Sequence, residues 1–239
     1  LIELQAILLA VGLIVGALSV TGLSGTLVNE LLFIAGDSTG VLILMGAATS
    51  FILGIGLTVT AAYVFLAIVL APALIDGGLV PMAVHLFILY WGMLSFITPP
   101  VALGAFAAAS ISGANPVTTG FEAMRLGVAI YLVPFLFVLN PALIGQGPWQ
   151  GIVQAGLEAL LGVLLIAWSA QRYLPRLGDP GLIAAWLLGL GGLLIALPDI
   201  NLEGLALTNI IGNSMGAAMI GLALLLARFR THQTPAIDS

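Results

Sequence analysis

Gly54-Ile55-Gly56-Leu57-Thr58-Val59-Thr60 interrupts an apolar stretch that runs from Gly40 to Asp76, and Thr98-Pro99-Pro100 interrupts a second that runs from Pro81 to Gly113. Hydrocarbon offers freed backbone groups no partner, so a membrane helix is normally continuous. Irregular backbone at membrane depth is tolerated where protein buries it or where it lines a cavity. Paired broken segments therefore point to a transport site.

The composition around these breaks is that of an all-α polytopic membrane protein. The chain has 239 residues, of which 61% are hydrophobic and only 6% charged, whereas a soluble domain carries about a quarter charged residues. Apolar runs of about 20 residues recur, which suits helices better than the alternating segments of a barrel. With no cysteine there is no disulfide framework and no thiolate chemistry. The five basic residues are all arginines, single or in pairs, and the net charge is -5, so nucleic-acid binding has no support. No Ser/His/Asp grouping, metal-ligand cluster or Walker motif stands out, which argues against an enzyme and against ATP driving transport from this chain. Leu1 already lies in an apolar run without a charged n-region or cleavage site, so a signal peptide is not expected and the chain reads as a piece of a longer protein.

Helix lengths give the first break its shape. The halves Val41 to Leu53 and Ala61 to Ile75 reach roughly 20 Å each, short of a hydrocarbon core of about 30 Å. A re-entrant hairpin with its tip at Gly54–Thr60 fits those lengths, and two short or tilted spans are the alternative. The second pair, Met82 to Ile97 and Val101 to Ile111, is again too short alone. Pro99 and Pro100 supply no amide hydrogens, and Thr98 is pushed away from helical geometry by the following proline. Together the halves make one discontinuous span or, on the blander reading, a proline kink.

The flanking segments follow from apolar length. Leu1 to Thr21 is expected to span, and Gly22 to Ser38 to lie at the interface. Pro116 to Arg125 is a short amphipathic helix, and Leu126 to Ile144 a span. Ile152–Ala170, Gly181–Leu197 and Leu205–Ala227 are three further spans. On this count Arg125, the pair Arg172/Arg176 and the pair Arg228/Arg230 are each separated by two spans. All five then fall on one face, cytoplasmic by the positive-inside tendency, and the hairpin opens from the other.

The hairpin tip offers two glycines and two hydroxyls. Glycine permits close backbone approach, and bared carbonyls with threonine hydroxyls are hard oxygen ligands suited to Na⁺. The half-helix N-terminus near Ala61 favours an anion instead. The second break adds Ser95, Thr98 and the carbonyls around Pro99 to Val101.

The run Gly54-Ile-Gly-Leu-Thr-Val-Thr-Ala-Ala-Tyr63, then Leu70-Ala-Pro-Ala-Leu, then His85-Leu-Phe-Ile-Leu-Tyr-Trp-Gly-Met-Leu-Ser-Phe-Ile-Thr-Pro-Pro-Val-Ala-Leu103 resembles the large membrane subunit of TRAP (tripartite ATP-independent periplasmic) transporters. Ser112-Gly-Ala-Asn-Pro and Phe135-Leu-Phe-Val-Leu-Asn-Pro-Ala-Leu143 continue the likeness, which covers about Leu1 to Gly147 and is nearest the fused form of the permease. The resemblance implies an elevator-type secondary transporter with two inverted repeats, each holding a hairpin and a discontinuous helix. Residues 1–147 would be the second repeat, with the hairpin at 40–76 and the discontinuous helix at 81–113. Residues 148–230 would be three extra helices and 231–239 a polar tail.

Carried over, Gly54 and Gly56 face Ser95 and Thr98 across a Na⁺ site, with the Val101 carbonyl as a further ligand. Thr58, Thr60, Pro99 and Pro100 line the substrate or gate side. This chain has Thr58-Val59-Thr60 where relatives often place proline before the threonine pair, and Ser95 where many have glycine. Both changes keep oxygen ligands available. No cofactor is implied beyond Na⁺ as the coupling ion. The implied partners are a periplasmic binding protein that delivers a carboxylic acid and the rest of the permease with its first repeat and small membrane subunit. The implied place is the inner membrane of a bacterium or archaeon. Other readings are a different ion-coupled transporter or channel, or a non-transporting structural module.

Outside the breaks, His85 is expected to make a structural hydrogen bond or act as a proton relay. Glu158, an ionisable group inside an apolar segment, is a functional candidate by default, with pairing or an interfacial position the alternative. Asn209 and Asn213 share a helix face with Gly212 and Gly216, which suits interhelical hydrogen bonds. Glu3 is expected near the cytoplasmic boundary.

Overall fold

The computed structural model describes residues 9, 12–13, 16–17, 20–36, 38–56, 58–175, 177–198, 200–202, 205–207 and 209–233. Glu3, Asp199 and Glu203 lie outside these, as does Arg176. The fold is that of an all-α membrane protein. It divides into two compact units, Leu1–Phe121 and Glu122–Ser239.

In the first unit the described residues between 9 and 21 are helical. They are followed by α1 (Leu23–Ala35), α2 (Thr39–Gly56), α3 (Val59–Val69), α4 (Ala71–Asp76), α5 (Pro81–Met93), a 3₁₀ turn (Leu94–Phe96) and α6 (Leu103–Ser112). Helix α7 (Pro116–Leu126) leads into the second unit. Its start is built as the sequence dictates: Asn115 Oδ1 accepts from Val117 N at 3.0 Å and Thr118 N at 3.1 Å, with Pro116 in the first turn where no amide is needed.

Small residues set the direction of packing. Leu42 presses on Gly77, Gly46 on Leu74 and Phe87, and Gly54 on Gly92, so α2 and α5 run side by side in the same direction. Helix α3 packs against both, and its Ala62 lies beside Gly92. Leu66, Leu70, Leu74, Val84, Phe87 and Ile88 are fully buried and form the core of this bundle.

The first break is narrower than the sequence suggests. Helix α2 continues through Gly54, Ile55 and Gly56, and α3 begins at Val59. The interruption is Leu57, outside the described residues, and Thr58. Two glycines cost a helix roughly 1 kcal/mol each. Tertiary packing outweighs that cost, since the lack of a side chain at Gly54 is what lets α2 touch α5. The second arm breaks again at Leu70, because Pro72 removes the amide that would continue α3.

The second unit contains α8 (Val128–Leu139), a 3₁₀ turn (Pro141–Ile144), α9 (Trp149–Gln171), α10 (Leu182–Ala196) and α11 (Asn209–Gln233). By length and apolarity Trp149–Gln171 and Ile210–Phe229 can each cross a membrane. The segment expected to be helical from Leu205 instead starts as a strand. Leu205–Leu207 pairs antiparallel with Ile200–Leu202 across a two-residue connection, and α11 begins at Asn209.

Helices α9, α10 and α11 form one antiparallel layer closed by glycines. A Cβ at Gly162 would lie 2.5 Å from the Gly192 carbonyl, and one at Gly216 would lie 2.8 Å from the Gly191 carbonyl. At one end Leu174, Ala184, Leu188, Ala223 and Ala227 make a buried cluster. Arg172 follows α9 there and Arg228 follows Ala227. Arg125 donates from Nε to the Ala170 carbonyl at 2.9 Å and from Nη2 to the Gln171 carbonyl at 3.2 Å. A cation on the last carbonyls of a helix is favourable. These three arginines thus share one end of the unit.

Candidate ion and substrate site

Both interruptions meet at Gly92. Gly54, in the last turns of α2, has no room for a Cβ because the Gly92 carbonyl occupies that place. Ala62, in the first turns of α3, packs beside the same glycine. The Gly92 carbonyl also accepts from Ser95 Oγ at 3.2 Å, and Ser95 is buried. Gly54 and Ser95 are therefore joined through one backbone oxygen. Gly92 itself escaped the sequence reading, since a lone glycine in an apolar helix signals close packing without naming its partner.

Past Gly92 the helix tightens and then fails. Pro99 and Pro100 have no amide hydrogens, so the carbonyls of Ser95 and Phe96 have no α-helical donor. The Pro99–Pro100 peptide is cis. Thr98 is buried and donates from Oγ1 to the Leu94 carbonyl at 2.7 Å, and its own carbonyl accepts from Ala102 N at 3.1 Å. A hydroxyl that donates keeps lone pairs for a cation. Val101 is half-buried in this turn. Ala102 is fully buried with φ 36 and ψ 45, a left-handed conformation that costs a residue bearing a Cβ about 1–2 kcal/mol. Such strain concentrates at functional sites. Pro99 is wedged by Gly120 of α7, where a Cβ would lie 2.8 Å from Pro99 Cγ, and Pro100 is exposed.

At the other break Thr58 caps α3: its Oγ1 accepts from Ala61 N at 3.4 Å and its carbonyl from Ala62 N at 2.9 Å. Thr58 and Thr60 are exposed. Gly56 ends α2. The structure thus brings Gly54, Ser95 and the helix ending at Gly56 together. It leaves the Thr58 and Thr60 side chains at the surface and turns the Thr98 hydroxyl back onto its own helix.

Each break presents two helix ends of opposite character. The C-termini of α2 and of the α5 turn carry bared carbonyls and a partial negative charge. The N-termini of α3 and α6 carry free amides and a partial positive charge. Such pairs suit a cation and an anion at neighbouring positions.

His85 is the acceptor or donor to Tyr63 Oη at 3.2 Å, which ties α3 to α5. In the second unit Glu158 Oε1 accepts from Gln154 at 3.0 Å and from Asn213 at 3.2 Å, the interhelical bond expected of that asparagine. A groove of about 420 Å³ lies between α8, α9 and α10. Its walls are almost wholly apolar, Ser169 is engaged with the Ala185 carbonyl at 2.6 Å and Arg172 is paired with Asp179 at 3.2 Å. It has little to offer an ion.

The chain matches no curated protein and no solved structure. The family model described as "Tripartite ATP-independent periplasmic transporter, DctM component" matches residues 1–152, the stretch that contains both breaks. The chain belongs to this family, the TRAP transporter permease component.

Proposed function

We propose that this chain supplies one half of the transport machinery of a secondary active TRAP permease, and that the two breaks form its ion and substrate site. The observation that carries this reading is the junction at Gly92, where Gly54 of α2 abuts the backbone carbonyl that also accepts from Ser95. Na⁺ binds at the carbonyl-rich ends, with Ser95, Thr98 and the carbonyls of residues 95 to 101 as ligands. Gly54 and Gly56 permit the approach of the second wall. A carboxylate substrate lies against the N-termini of α3 and α6, beside Thr58, Thr60, Pro99 and Pro100. Binding of Na⁺ favours the state in which the hairpin tip is held against α5. The coupling is a difference in ion affinity between states, with no covalent step.

A periplasmic binding protein delivers the organic acid, and the remaining permease segments in the cytoplasmic membrane supply the first repeat and the small subunit. The arginine-rich end of the second unit faces the cytoplasm. The test is uptake of a carboxylic acid by the complete assembly in liposomes. An inward Na⁺ gradient should drive accumulation, and collapsing it should stop accumulation. Uptake indifferent to that gradient would sink the Na⁺-coupled mechanism, and ion flux without any binding protein would favour a channel.

A further inference from the structure

Glu158 is the single ionisable residue in α9, and α10 has none. Among elements packed on α9, α8 adds Tyr131 and α7 adds Glu122 and Arg125, which sits on the Ala170 and Gln171 carbonyls at the far end of α9. Arg172 is about 21 Å along α9 from Glu158, and Arg228 about 22 Å along α11 from Asn213. Asp199 and Glu203 are acidic and lie outside the described residues. Among the described residues no cation is placed to neutralise the Glu158 carboxylate.

The register of the layer locates this carboxylate. Gly162 packs on Ala196, the last residue of α10, and Gly212 on the Leu194 carbonyl. Glu158 precedes Gly162 by one turn in an antiparallel helix, so it lies about one turn beyond the end of α10. Asn213 reaches it there from α11, and the two side chains bridge their helices across the carbonyl end of α10. That end carries partial negative charge, and Pro198 has no amide to close on the Leu194 carbonyl. Gln154 and Asn213 both donate to Glu158 Oε1 as they stand, and the carboxylate and the helix C-terminus supply the oxygens that favour a cation. A carboxylate within a membrane span is costly unless it is neutralised.

We propose that Gln154, Glu158 and Asn213 form a binding site for a small monovalent metal cation, Na⁺, separate from the two breaks. A cation here neutralises Glu158 and fastens α9 to α11 across the end of α10. For Na⁺, rotation of the two carboxamides turns their oxygens inward beside the carboxylate.

The test is carbodiimide labelling of Glu158 in the purified complete permease, read by mass spectrometry of the peptide that carries it, with Glu158→Gln as the unlabelled control. A Na⁺ site predicts labelling slowed about tenfold when Na⁺ exceeds its dissociation constant roughly tenfold, and not by choline. Asn213→Ala and the surface variant Gln154→Leu should each weaken Na⁺ protection, and Thr98→Ala should leave it intact. Labelling that is absent throughout, or indifferent to Na⁺, overturns the proposal, as does protection that disappears in Thr98→Ala.

Discussion

The Gly54–Gly92 contact of the first unit and the Gly162–Gly192 contact of the second use the same device for different ends. In both, a missing Cβ lets one helix touch the backbone of another. Around Gly162 and Gly192 the helices run on unbroken, so the carbonyls there already have their helical donors and the contact only tightens the layer. In the first unit the contact falls where one helix is about to end and the other to unwind. Close approach there gathers carbonyls without donors and amides without acceptors. Glycine at a helix crossing is thus a packing feature, and it becomes part of a site only where the backbone beside it is broken.

This contrast is open to direct attack. The largest effects should come from Gly54→Val and Gly162→Val, since overpacking of this kind costs about 1–3 kcal/mol and more against backbone. Both variants should lose thermal stability. Gly54→Val should also abolish Na⁺-driven uptake, whereas the Gly162→Val protein that remains folded should keep the wild-type Na⁺ dependence of uptake. Loss of Na⁺-driven uptake in both folded variants would erase the distinction. Next come the helix ends. Asn115→Ala removes the cap of α7 and should cost about 1 kcal/mol. Arg125→Ala removes an exposed guanidinium from the end of α9 and should cost about 0.5–1 kcal/mol. Each is read as a small fall in melting temperature with uptake per folded molecule unchanged. The smallest effect belongs to Ser50, fully buried on α2 with no hydrogen-bond partner among the described residues. Ser50→Ala should be neutral or stabilise by up to about 1 kcal/mol, because it removes a hydroxyl that gains nothing from burial. A marked loss of stability would mean that this hydroxyl has a partner.

The two breaks were legible in the sequence because their causes are local. Proline lacks an amide wherever it stands, and Thr58 caps a helix with its own side chain. The arginine pattern was legible for a similar reason, since charge at a membrane boundary is set by span count. The register of α2 against α5 was not. Both helices are apolar all round, so no stripe of polar residues says which side faces the partner. Gly54 was read as part of the hairpin tip, where it permits close backbone approach, whereas the helix runs through it. Only its distant neighbour Gly92 explains why a glycine is needed there. The left-handed Ala102 was equally hidden, because alanine gives no sign of that conformation and the surrounding packing imposes it. The strand at Leu205–Leu207 was hidden in an apolar run that suits helix and strand alike.

The central claim is that the junction of the two breaks binds the coupling ion. Equilibrium Na⁺ binding to the purified complete permease tests it most directly, compared among wild type, Thr98→Ala, Thr98→Ser and Ser95→Ala. Thr98→Ala and Ser95→Ala should each weaken Na⁺ binding about tenfold, equivalent to about 1.4 kcal/mol, and Thr98→Ser, which keeps the hydroxyl, should restore most of the affinity. Unchanged Na⁺ binding in folded Thr98→Ala and Ser95→Ala proteins would contradict the assignment of the ion to this junction.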